Sequence, residues 1–120
     1  SAASDVYKRQ AVEAGDERAT MVLDVYNYRI KKYIGAYAAA MGGCDILVWT
    51  GGVGENQWAT RRVVCENMEY MGMKIDVKKN EGMRGEEMVI STPDSKVTII
   101  VVPTDEEYMI AADTMDILGK

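Results

Sequence analysis

Apolar side chains at Val22, Tyr26, Ile30, Tyr33, Tyr37 and Met41 recur every three or four positions, the interval that gathers them on one face of an α-helix. The pattern predicts one long amphipathic helix from about Asp16, stopped by Gly42-Gly43 as expected of glycine at a C-terminal cap. Ile46 to Trp49 is apolar at every position, too short and too uniform for a surface strand, so it reads as a buried one. Helical spacing returns at Trp58, Arg61, Val64, Cys65, Met68 and Met71 and predicts a second helix ending at Gly72. Met73-Lys74-Ile75-Asp76 reads as a brief extended piece, and the polar stretch from Lys78 to Glu86 as a loop. Met88-Val89-Ile90 and Val97 to Val102 read as strands joined through Thr92-Pro93-Asp94-Ser95, which has good turn chemistry. A last helix is expected from about Asp105 to Leu118. Helices alternating with strands predict an α/β layered fold. The strands are too few to make a self-sufficient sheet covered on both faces, so the chain reads as half of something larger.

Composition changes this picture at one end. Ser1 to Gln10 resemble the in-frame translation of a transposase sequencing adapter, which ends Asp-Val-Tyr-Lys-Arg-Gln; the other reading is an ordinary polar arm. Residues 1–10 are set aside as non-native, and the native sequence is expected to occupy residues 11–120 and to begin in mid-gene. The net charge of −5 becomes −6 once the +1 of those ten residues is removed. An acidic chain without a basic stripe argues against nucleic acid as a partner. No apolar run approaches the ~20 residues that span a bilayer, so no membrane role is expected. Cys44 and Cys65 stand far apart with no Cys-x-x-Cys spacing, as reduced thiols of a cytoplasmic protein do. The absence of histidine removes Ser-His and Cys-His dyads and argues against zinc.

Two strand ends carry candidate chemistry. The first is Thr50-Gly51-Gly52-Val53-Gly54-Glu55-Asn56, where a strand empties into glycines and restarts as a helix. Without Cβ atoms in the way, a flat group such as a nucleoside can lie against backbone, and free N–H groups of the helix face it. The third glycine of a dinucleotide fingerprint is missing, since Gln57 stands there, and so is the Gly-Lys-Ser/Thr ending of a P-loop. A left-handed turn with no ligand and Asn56 as a helix N-cap is the other reading. The second is Val101-Val102-Pro103-Thr104-Asp105-Glu106-Glu107. Thr104 and Glu107 fit a capping box, while Glu106 is not used by it. A carboxylate at a strand's carboxyl end suits Mg²⁺ held through waters beside phosphates; it equally suits the helix dipole alone. Lys31-Lys32 and Arg61-Arg62 read as solvated helix faces, and Tyr26, Tyr33 and Tyr37 as core or subunit contact rather than a stacking platform. Arg84-Gly85-Glu86-Glu87 reads as an ordinary loop entering a strand.

Taken together, four blocks resemble the C-terminal part of acetate kinase: Gly35-Ala36-Tyr37-Ala38-Ala39-Ala40-Met41-Gly42-Gly43, the turn Thr50 to Asn56, Arg84-Gly85-Glu86-Glu87, and Val102-Pro103-Thr104-Asp105-Glu106-Glu107-Tyr108. They stand in the family's order with its gaps, and the agreement extends over residues 11–120. Butyrate kinases share a similar glycine turn but usually lack its ending, so Gly54-Glu55-Asn56 points to the acetate or propionate branch. The resemblance implies a parent with two ribonuclease-H-like domains of the actin-like and sugar-kinase superfamily, transferring the γ-phosphoryl of ATP reversibly to acetate. It implies that Gly52, Val53, Gly54, Glu55 and Asn56 are the adenosine-binding turn, that Glu106 is the Mg²⁺-associated glutamate, and that the parent is a homodimer to which the Tyr-rich helix contributes. The family's catalytic aspartate, transition-state histidine, paired arginines and first phosphate loop lie upstream of the matched region. The polypeptide alone is therefore expected to be inactive. The alternatives are a propionate or butyrate kinase fragment and, in a different class, a stand-alone nucleotide-binding or oligomerisation module; a dehydrogenase is the least favoured.

Overall fold

The computed structural model describes residue 10 and residues 15–104. The expected last helix, with Glu106 and Glu107, lies outside the described residues.

The chain opens with α1 (Glu17–Met41), which starts and stops where the sequence predicts. Asp16 caps it by accepting the Ala19 N–H at 3.0 Å. Gly42 closes it in the left-handed region, and the Gly43 N–H returns to the Ala38 carbonyl at 2.8 Å. The buried face, however, is Leu23, Asn27 and Ala38, with Ile30 and Ile34 partly buried against the core. Tyr33 and Tyr37, expected in core or subunit contact, are 62% and 65% exposed. Leu23, Asn27, Ile30, Ile34 and Ala38 recur at steps of four, three, four and four, sharing Ile30 with the predicted stripe and otherwise lying one residue away from it. The helix therefore carries two apolar faces, and size alone pointed to the outer one. Lys32 is exposed, as expected, and lies over the Tyr28 ring. Lys31 departs from a solvated reading, since its ammonium donates to the Glu66 carbonyl.

Next comes β1 (Ile46–Trp49), followed by α2 (Gly51–Asn56) and α3 (Trp58–Cys65). The second predicted helix thus breaks at Glu66, which is extended. Asn67 then adopts φ +59, a left-handed conformation that asparagine tolerates better than most residues. The break drops Met68 into the core, and only a 3₁₀ turn (Glu69–Met71) precedes Gly72. The polar stretch read as a loop begins with a short helix, α4 (Val77–Asn80), capped by Asp76 accepting the Lys79 N–H at 3.1 Å. Asn80 and Met83 in that stretch are buried.

β2 (Met88–Val89) and β3 (Thr98–Val101) complete a sheet of order β1-β3-β2. β3 runs antiparallel to β2 and parallel to β1, with Leu47 opposite Ile99 and Trp49 opposite Val101. The brief extended piece appears as an antiparallel bridge between Ile75 and Ser91. The expected turn forms, with the Thr92 hydroxyl donating to Asp94 at 2.7 Å and Lys74 paired to the same carboxylate. One face of the sheet packs Trp49, Ile99 and Val101 with Val64, Met68 and Met73. β1, read from its composition as a buried strand, lies at the sheet edge among the described residues, and Ile46 and Val48 on its other face are 60% and 50% exposed there.

Candidate functional site

Because β1 and β3 are parallel and in register at Trp49 and Val101, the segments that leave them emerge side by side at the sheet's carboxyl end. The Val102 N–H continues the ladder to the Trp49 carbonyl at 2.8 Å. In open α/β sheets this is where ligands bind. Both strand ends picked out in the sequence are therefore adjacent in space, 49 positions apart in the chain.

The glycine turn owes its shape to two of its glycines. Thr50 is extended and Gly51 swings to φ +75, which starts α2 directly beneath the strand end. Gly54 is buried against the strand it has just left: a Cβ there would stand 3.0 Å from the Trp49 carbonyl carbon. Gly52, Val53, Glu55 and Asn56 are half-buried along the same turn. Asn56 ends α2, and Gln57 separates it from α3, so Asn56 is not the N-cap of the helix that follows.

The turn is braced from below by a residue read as solvated. Arg61 is wholly buried. Its Nη1 donates to the Gly54 carbonyl at 2.8 Å, its Nη2 to the Met83 carbonyl at 2.6 Å and its Nε to Asn80 Oδ1 at 2.7 Å. Asn80 in turn donates to the Trp58 carbonyl at 2.8 Å. Burial pulls the guanidinium down to about 10, with the neighbouring Cys65 acting the other way, so it stays charged at neutral pH. The signal was present in the sequence: Arg61 falls three and four positions before Val64 and Cys65, on the apolar face of the helix. Arg62 is half-buried.

From above, the turn meets two distant segments. The Gly85 N–H donates to the Glu55 carbonyl at 3.0 Å, so the loop at Arg84-Gly85 is a wall of the turn. Glu55 Oε2 accepts the Thr104 backbone N–H at 2.8 Å and the Thr104 hydroxyl at 3.2 Å. Glu107, the other half of the capping box read in the sequence, lies outside the described residues. Neither contact has a sequence signal, since each joins loops that only the fold brings together.

Glu106 lies outside the described residues. Among the described residues no group of three or more Cys, Asp or Glu side chains is placed to hold a metal ion. Both cysteines are free; Cys44 is half-buried and Cys65 buried. Burial raises the Cys65 thiol to about 12 against the opposing influences of Trp49, Lys31 and Arg61. Among the described residues, no helix is long and apolar enough to cross a membrane.

The chain matches the acetokinase family over residues 1–112. It is 89% identical over 110 residues to an acetate kinase of Parabacteroides distasonis, covering 92% of this chain and 28% of that protein. The crystal structure of Porphyromonas gingivalis acetate kinase superposes with a TM-score of 0.84 at 68% identity, over 92% of this chain and 28% of that one. The crystal structure of a propionate kinase from Francisella tularensis subsp. tularensis SCHU S4 superposes with a TM-score of 0.73 at 31% identity, over 89% and 27%. The chain thus spans little more than a quarter of the length of the relatives it matches.

Proposed function

The chain belongs to the acetokinase family, and from that premise we propose that residues 11–120 are the C-terminal, nucleotide-side portion of a kinase that moves the γ-phosphoryl of ATP reversibly onto acetate. The products are acetyl phosphate and ADP. The observation that carries this reading is the convergence of the glycine turn, the Gly85 loop and Thr104 at the carboxyl ends of the parallel pair β1 and β3. In it, Gly52, Val53, Gly54, Glu55 and Asn56 form the adenosine-binding turn through their backbone, the glycines giving a base and ribose access to it. Glu106, two residues beyond Thr104, belongs to the Mg²⁺ site. The metal, when bound, neutralises charge on the phosphate oxygens.

The mixed sheet, with one face and the β1 edge open among the described residues, suits part of a ribonuclease-H-like domain whose remaining elements come from elsewhere in the protein. The homodimer belongs to the same reading: Tyr33 and Tyr37 stack with ring centroids 6.4 Å apart on the exposed face of α1. A cytoplasmic location agrees with two free thiols. Residues 1–10 remain, in this reading, adapter-derived. Propionate is the second acceptor to weigh, because a propionate kinase shares the fold of this segment.

The test is an assay of the complete gene product with MgATP and acetate, propionate or butyrate, trapping acyl phosphate as the hydroxamate. Formation of acetyl phosphate with acetate preferred is the expected result. Preference for the longer acids moves the protein to the other branch. Nucleotide binding with no transfer to any short carboxylate overturns the kinase reading in favour of a binding module.

A further inference from the structure

The nucleotide turn does not need the Glu55 carboxylate to hold its shape. The Gly54 carbonyl is held by Arg61, the Glu55 carbonyl by the Gly85 N–H, and Gly54 is wedged against Trp49. The segment after β3 is in the opposite position. Its last ladder bond is the Val102 N–H to the Trp49 carbonyl, and Pro103 has no N–H to give. The next backbone donor is therefore Thr104, and both its N–H and its hydroxyl go to one oxygen of Glu55. An ionised carboxylate makes a stronger acceptor than a carbonyl would.

From this contact, and resting on the kinase reading above, we infer that Glu55 is a positioning residue: its side chain fixes Thr104, two residues before Glu106 in the chain, beside the nucleotide turn rather than gripping the nucleotide. The nucleoside side of the site is set by backbone that is braced without it. The backbone that leads into the acidic residues is anchored by it at Thr104. Loss of the carboxylate then harms the chemical step and spares nucleotide binding, since transfer depends on the placement of charged groups around the phosphates.

The experiment uses the complete kinase with Glu55→Ala, Glu55→Gln and Thr104→Val. Three quantities are read: amide hydrogen exchange of the peptide spanning residues 103–108, the Kd for ATP, and kcat with KM. In Glu55→Ala, exchange of that peptide quickens and kcat falls roughly tenfold or more, while Kd and KM stay within about twofold. Glu55→Gln recovers most of the loss because its amide oxygen still accepts. Thr104→Val gives a smaller fall that does not add to that of Glu55→Ala. A rise in Kd for ATP with kcat intact makes Glu55 a nucleotide contact and overturns the inference, as do unchanged exchange and unchanged kcat. If Glu55→Ala does not fold, the other two variants decide: no fall in kcat in either overturns it. An unsubstituted protein that makes no acyl phosphate sinks the kinase reading instead, and the exchange measurement still decides whether Glu55 holds the segment.

Discussion

Arg61 carries its charge into the interior with no carboxylate to meet it among the described residues; two carbonyls and the Asn80 side chain share its donors. Such a group is held in place by geometry, because every donor left without an acceptor in the core costs free energy. Arg61→Ala releases three acceptors at once and is expected to cost about 3–5 kcal/mol, read as a shift in the urea midpoint. A cost below about 1 kcal/mol would show the network to be dispensable. Arg61→Lys keeps the charge but loses the fork, so it recovers only a small part. Cys65 makes a different prediction. Its thiol is raised from 9.0 to about 12, so the folded protein holds a proton that the unfolded chain releases as pH rises past 9. The stability it contributes is complete below pH 9 and is lost on the way to 12, by up to about 1.4 kcal/mol per pH unit. Arg61, depressed from 12.5 to about 10, acts with the opposite sign, and only above 10. Between pH 9 and 10 the stability advantage of the unsubstituted protein over Cys65→Ala should therefore shrink. A constant difference across that interval contradicts the assignment. Iodoacetamide at pH 8 should reach Cys44 and spare Cys65 until denaturant is added.

At the scale of elements, the glycine turn and α1 make separate demands. Gly54→Ala sets a methyl 3.0 Å from the backbone of Trp49, an atom that cannot swing aside as a side-chain tip would. The turn must move, and ATP affinity of the complete kinase should fall about tenfold or more, measured by calorimetry; unchanged affinity would detach the turn from the nucleotide. α1 shows how far periodicity reaches. Asp16 and Gly42 were legible as its ends because capping is local chemistry. Which face is buried was not, because Leu23, Ile30 and Ile34 compete with a stripe of tyrosines of equal periodicity, and only the position of the sheet and α3 decides between them. The exposed stripe yields its own prediction. On the proposed homodimer, Tyr33→Glu with Tyr37→Glu should shift the complete protein from dimer to monomer in sedimentation; an unaltered dimer assigns the contact to another surface.

The whole molecule presents a sheet with Ile46 and Val48 on an open face and β1 and β2 as its edges among the described residues. Apolar faces and unpaired edges of this kind drive association when nothing covers them. Purified residues 11–120 should therefore be poorly soluble or recovered as dimers and larger assemblies. A sharp two-state melt of a monomer would contradict this. The same polypeptide should produce no detectable acetyl phosphate from MgATP and acetate, because binding a nucleotide supplies neither the acceptor's site nor the cations that stabilise transfer. Turnover by that polypeptide would overturn the expectation.

The sequence by itself determined the ends of α1, the turn at Thr92 to Ser95, the α/β class and the place of the glycine turn between strand and helix, all matters of local chemistry or of contiguous motif. It also marked Arg61 as an apolar-face position, though its charge argued the other way. Tertiary structure alone decided that β1 is an edge among the described residues, that the helix after Trp58 breaks at Glu66, and that Glu55 meets Thr104. The physical reason is common to all three. A hydrogen bond across 49 residues, or the covering of one sheet face, depends on where distant segments come to rest, and no interval along the chain encodes that.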